Sequence, residues 1–203
     1  MLLSMRTKHF NFGWHGTFRS YLISNLRFVE GIEYEDVSFA FMLFVNASWV
    51  GILDKQLLCY RIREGSICNP LEQDSYPAYM SDLKGIFEKF NQAKFYSFFY
   101  SDCLNILKVD SYLTHFEEEK TSAVAYLRKL LRWRVLWFLS VGKHRIKKDP
   151  RNALVLYQEI ERRGYKISLF EIMSCRILNL NLVINILNPI RKLVFLLRSK
   201  LKR

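Results

Sequence analysis

The 203-residue chain is half hydrophobic and 15% aromatic, and 31 Lys and Arg against 19 Asp and Glu give it a formal net charge of +12. This balance excludes a disordered chain, and eight Gly with four Pro exclude a collagen-like or linker-rich one. The length holds one large domain or two small ones with a real core.

The charge is uneven. Residues 1–100 carry ten basic and ten acidic side chains, whereas residues 101–203 carry 21 against nine. A basic half suits nucleic acid, anionic lipid headgroups or a polyanionic substrate, and net charge does not choose among them. Cys59, Cys68, Cys103 and Cys175 form no CxxC pair, and His9, His15, His115 and His144 do not cluster with them, so no zinc site is expected. A chain of this size and apolar content needs no disulfide staples and reads as reduced and cytoplasmic.

From the amino terminus, Met1-Leu2-Leu3-Ser4-Met5 meets charge at Arg6 and Lys8, far short of the apolar core of a secretory signal. Residues 1–69 hold five of the eight glycines, a texture of short elements joined by tight turns. Glu35 and Asp36 precede a dense apolar series from Val37 to Ala47, which predicts a buried helix over about 35–46 with acids in its first turn. Trp49–Leu53, the turn Asp54-Lys55, and Leu57–Arg63 predict a strand, turn and strand.

A second region begins near Pro70 with a polar connection. Helical spacing is then expected from Tyr79 through Leu83, Ile86, Phe87 and Phe90, and onward through Phe95, Phe98, Phe99, Cys103, Leu104 and Leu107. Such an aromatic stripe reads as core. From Glu117 the apolar Ala123, Leu127, Leu130, Leu131, Val135 and Phe138 alternate with Arg128, Lys129, Arg132 and Arg134. This is the pattern of a basic amphipathic helix, with Trp133, Trp137 and the cations His144 to Lys148 placed for an anionic membrane surface, or else a solvated surface helix. Further helices are expected over 151–164, closed by Gly164, and over 168–178, with a basic amphipathic piece over 190–203. Asn, Pro and basic residues interrupt the apolar stretch 178–197, so it is expected to lie on a surface and not to span a bilayer.

Chemistry concentrates in Leu26-Arg27-Phe28-Val29-Glu30-Gly31-Ile32-Glu33-Tyr34-Glu35-Asp36-Val37-Ser38-Phe39, with four acids in seven residues. A carboxylate at a helix start is stabilised by the helix, and one so held serves either as a cap or as a general base. The stretch Phe28 to Phe39, followed by Tyr60-Arg61-Ile62-Arg63-Glu64-Gly65-Ser66-Ile67, resembles the second half of the catalytic domain of family 2 glycosyltransferases of the GT-A type. In that family F-x-E-G-I-x-Y-E-D-V-x-F is followed some two dozen residues later by Y-R-x-R-x-G-S-I.

The resemblance covers residues 17–69 closely and the rest loosely. It implies that Asp36 is the base that deprotonates an acceptor hydroxyl, with Glu35 positioning beside it. Arg61, Arg63 and Ser66 would contact the donor diphosphate or order a closing loop; their other reading is an exposed strand face and an ordinary turn.

The chain departs from the family in having no D-x-D and only 27 residues before Phe28, too few for the nucleotide-binding half. No cofactor is therefore expected in this chain, although a complete enzyme of the family would use Mg²⁺ or Mn²⁺.

The expected fold is α+β and predominantly helical: residues 1–69 form the carboxy-terminal part of a GT-A-like domain and residues 70–203 a helical region. The expected function is transfer of a sugar from a nucleotide sugar to a surface polysaccharide or lipid-linked acceptor at the cytoplasmic face of a membrane. The chain is expected to be truncated and inactive alone, with a partner polypeptide as one source of the missing half. The alternative is a non-catalytic basic helical module for anionic membrane or nucleic acid, though no recognised nucleic-acid module is present. A hydrolase using Glu33, Glu35 or Asp36 would need a further acid such as Glu64 across the sugar.

Overall fold

The computed structural model describes residues 17–51, 76–116, 118, 121–168 and 171. Arg61, Arg63 and Ser66 lie outside the described residues, as do the second expected strand and the expected terminal helix. The helices are α1 (Glu35–Asn46), α2 (Phe90–Leu113), α3 (Thr121–Arg134), α4 (Ser140–Gly142) and α5 (Ala153–Ile160), with single 3₁₀ or π turns between and around them. Among the described residues there is no sheet, only an isolated bridge between Lys84 and Phe87. The helical part of the expectation therefore holds. Trp49, Val50 and Gly51, placed at the start of a strand by the sequence pattern, run as irregular chain.

Helix α1 spans the expected residues. Val37 to Val45 are all buried and all but Ser38 are apolar, so the helix is enclosed on every side. Val37, Phe41 and Val45 join the main core, while Phe39, Met42 and Leu43 pack with Leu26, Leu22 and Ile23 in a smaller cluster. Phe28 stacks on Phe39 at 4.5 Å between ring centres, and Phe18 tilts against the same ring at 6.0 Å.

Helix α2, 24 residues and about 36 Å long, is the central element. Its Tyr96, Phe99, Cys103, Ile106, Val109 and Leu113 are fully buried, and α1, α3 and α5 all pack on it. Each such side chain contributes about 1.5–3 kcal/mol of transfer free energy. The expected helix from Tyr79 is corrected here. Residues Ala78–Leu83 form a 3₁₀ helix, the chain turns at Gly85 with φ 82°, and α2 starts only at Phe90. Apolar spacing continued across a turn that the helix cannot cross.

Helix α3 is amphipathic, but its apolar face looks inward. Val124, Leu127 and Leu131, continued by Val135 and Leu139 of the π turn that follows, are buried in the main core. Its arginines reach other elements: Arg134 bonds Asp102 on α2, Arg132 bonds Glu171 at 2.8 Å, and Arg128 lies 3.9 Å from Asp110. Trp133 and, just beyond α3, Phe138 are large apolar side chains left outward, each 44% exposed. No helix of the described residues is long and apolar enough to cross a membrane.

Asp149 secures the start of α5 by accepting from the Ala153 and Leu154 N–H groups at 2.6 and 3.0 Å and from the Tyr96 hydroxyl at 2.7 Å. Beyond α5, Tyr165 donates to the buried Asp110 at 2.6 Å, which ties the end of this segment to α2. Ser168 N–H donates to Glu171 and Glu171 N–H to Ser168 Oγ, at 2.9 and 3.2 Å, a reciprocal cap; the rest of the helix expected over 168–178 lies outside the described residues.

Candidate active site at the start of α1

The segment Gly31 to Asp36 lies across one face of α2. Gly31 adopts φ 72°, a conformation that side chains with a Cβ rarely take, and this turns the chain onto the helix. Ser101 Oγ then accepts from the Glu33 N–H at 3.0 Å, and Asn105 Nδ2 donates to the Tyr34 carbonyl at 3.1 Å. Ser97, Ser101 and Asn105 follow one another at four-residue spacing, so they form a polar stripe along one side of an otherwise aromatic helix. Tyr34 is held left-handed at φ 57°, its ring edge-on to Phe98 at 5.2 Å, and α1 begins at the next residue. The chain accepts this strained residue because α2 grips both of its sides.

Glu35 and Asp36 occupy the first turn of α1, as expected. Glu35 is exposed and Asp36 half-buried, so both stay within reach of a solute. Burial raises the Asp36 carboxyl above its ordinary range, and the neighbouring Glu35 charge adds to this. The backbone N–H groups of Asp36 and Val37, and the Arg134 charge, pull the other way without cancelling it. An upward shift strengthens the carboxylate as a proton acceptor. Arg134 itself is held by Asp102, so its charge beside Asp36 is fixed in place.

Glu33 does something different. It is 3% exposed, and burial raises its carboxyl against the weaker opposing effects of the Ser97 hydroxyl and the Lys94 and Arg151 charges. Among the described residues neither of its carboxyl oxygens meets a partner in full hydrogen-bond geometry, the nearby Ser97 Oγ included, and Asp102 Oδ2 and Asn105 Oδ1 on the facing helix are likewise unpaired. A carboxyl so enclosed is not open to a substrate.

The structure thus brings together Asp36, Glu35 and Arg134, and gives no account of Arg61, Arg63 or Ser66, which lie outside the described residues. The pattern in the sequence placed Arg134 on a basic face turned to an anionic membrane or to solvent, and overlooked Asp102. A lone acid within Phe98-Phe99-Tyr100-Ser101-Asp102-Cys103 was the available signal, since a charge in an apolar stripe needs a partner. No group of three or more His, Cys, Asp or Glu among the described residues could hold a metal ion. With no D-x-D in the sequence, these residues do not fit the Mg²⁺ or Mn²⁺ that the resemblance implies for a complete enzyme.

No known family model matches the chain, and no curated protein or solved structure is detectably similar to it.

Proposed function

We propose that the chain is a family 2 glycosyltransferase-like protein whose described residues carry the acceptor side of sugar transfer. Asp36 takes the proton of an acceptor hydroxyl while that oxygen bonds to the anomeric carbon of a nucleotide sugar. The bond from that carbon to the diphosphate breaks, and the nucleoside diphosphate leaves with the electron pair. The observation that carries this reading is the half-buried Asp36, raised in pKa, at the first turn of a fully enclosed helix. The Glu-Gly-Ile-Glu-Tyr segment ahead of it is pinned to α2 at both Glu33 and Tyr34, so the base is preorganised. Glu35 lies beside it and would orient the acceptor.

The acceptor class is a surface polysaccharide or a lipid-linked glycan. Donor binding is proposed to come from a partner polypeptide or further sequence, because the residues here offer no D-x-D. A peripheral position at the cytoplasmic face of a membrane suits such an acceptor. The outward Trp133 and Phe138 and the exposed His144, Arg145, Lys147 and Lys148 are the surface that would serve it.

The test supplies the donor half. The intact chain is fused behind the nucleotide-binding half of a family 2 glycosyltransferase, and radiolabel transfer from UDP- and GDP-sugars to a membrane lipid extract is followed. Transfer that falls at least about 100-fold in Asp36→Asn, with donor affinity unchanged, is the expected result. A fusion that folds and binds donor yet transfers nothing, or transfers equally well in Asp36→Asn, overturns the reading. The non-catalytic basic module then remains, favoured by the excess of cations in the second half of the chain.

A further inference from the structure

Where α2 begins, the chain folds the segment after α4 back across it and leaves an open cleft of about 530 Å³. That volume lies within the roughly 300–1,000 Å³ of small-ligand sites. Its walls come from two stretches far apart in sequence. Lys89 stands at the cap position of α2, while His144, Arg145, Lys147 and Lys148 come from the returning segment. Glu88 is the one carboxylate among the lining residues, so the cleft gathers four full cations against a single anion. Like charges drawn into one concavity repel, and the low-dielectric walls concentrate their field on whatever enters.

The cations are also held in position. The Arg145 guanidinium lies 4.1 Å from the centre of the Phe95 ring, a cation–π contact that orients its donors. Lys148 is anchored by donating to the Ile86 carbonyl at 2.6 Å. The first turn of α2 borders the cleft with no side chain capping it and no acid in it, so its N–H groups add to the positive potential. Four other arginines of the described residues are engaged with acids: Arg132 with Glu171, Arg134 with Asp102, Arg151 with Asp82 and Arg163 with Asp110. The cleft is where cations converge without such a set of carboxylates.

We propose that this cleft binds a phosphoryl group, with Lys89, Arg145 and Lys147 as its contacts. The chemistry is shared by a soluble phosphate ester and by a phospholipid headgroup. A guanidinium fork, with the Lys147 ammonium from its own segment and the Lys89 ammonium from the α2 side, matches the tetrahedral oxygens of either. The site uses none of the residues at the start of α1 and does not rest on the transferase reading, although Arg145, Lys147 and Lys148 belong to the cation run that reading turns to a membrane.

The experiment uses the full chain with two probes: inorganic pyrophosphate, followed by calorimetry, and vesicles of phosphatidylcholine with and without phosphatidylglycerol, followed by co-sedimentation. Binding to pyrophosphate marks a site for a soluble ester. Binding to the anionic vesicles alone marks a headgroup site. In either case Lys89→Glu with Lys147→Glu should weaken binding at least about tenfold. Lys108→Glu with Lys166→Glu, two exposed lysines outside the cleft, makes the same change in net charge and should leave binding within about twofold. Equal losses in both pairs would reduce the effect to net charge and overturn the proposal, and so would failure of both probes to bind the unaltered chain.

Discussion

Arg134 on α3 donates to Asp102 on α2 through Nε at 3.0 Å and through Nη2 to the same oxygen, and Asp102 is 2% exposed while Arg134 keeps a third of its surface in water. The two ends of this pair are unequal. Removing the arginine strands a buried carboxylate whose second oxygen already lacks a partner, whereas removing the acid leaves a cation that can turn to solvent. Arg134→Met is therefore expected to cost about 2–3 kcal/mol, and Asp102→Asn, which keeps an acceptor oxygen, about 1 kcal/mol. Urea unfolding of both variants measures the difference, and equal costs would contradict this account of the pair.

The start of α1 was readable from sequence because its causes are local: two acids, then an unbroken apolar run. The start of α2 was not, because the apolar spacing from Tyr79 to Phe90 carries straight through the turn at Gly85. Spacing reports which residues are buried and not whether the backbone between them is continuous. The same limit explains Arg134. Its place among Leu130, Leu131 and Val135 marks a helix with a charged face, yet whether that charge meets lipid, water or Asp102 depends on α2, a segment 32 residues earlier. Asp36 was identified from its neighbours in sequence, but its surroundings, Arg134 included, come from tertiary packing.

Gly142 tests how closely α4 approaches α2. A Cβ built there would lie 3.1 Å from Phe95 Cζ and 3.3 Å from Phe99 Cδ2. Phe99 is 1% exposed and cannot move aside, and Phe95 carries the Arg145 guanidinium against its ring. Alanine would gain about 0.5–1 kcal/mol from a more restricted unfolded chain, but overpacking costs about 1–3 kcal/mol. Gly142→Ala is expected to destabilise by about 1 kcal/mol in urea unfolding. It should also weaken ligand binding in the neighbouring cleft, because Phe95 is part of its wall. A stabilised variant would mean that Phe95 yields and the close approach is not what requires glycine.

Glu33 makes the stability of the fold depend on pH in a direction opposite to most carboxylates. Its folded pKa is raised by burial above the unfolded value of 4.5, so between those two values the native state binds more protons than the unfolded one. Its favourable contribution is complete below the unfolded pKa and is lost as pH rises through the folded one. Above that, the ionised carboxylate persists in an enclosure where neither oxygen meets a partner in full hydrogen-bond geometry among the described residues. Glu33→Gln replaces the ion by a neutral group of the same shape and keeps the backbone N–H bond to Ser101. The variant should match the unaltered chain at low pH and exceed it increasingly as pH climbs above 4.5, levelling off once Glu33 is fully ionised. Urea midpoints of both proteins across that range give the difference curve. A constant offset, or a curve of the opposite sign, would show that Glu33 is held as a stabilised ion and that its burial does not govern its titration.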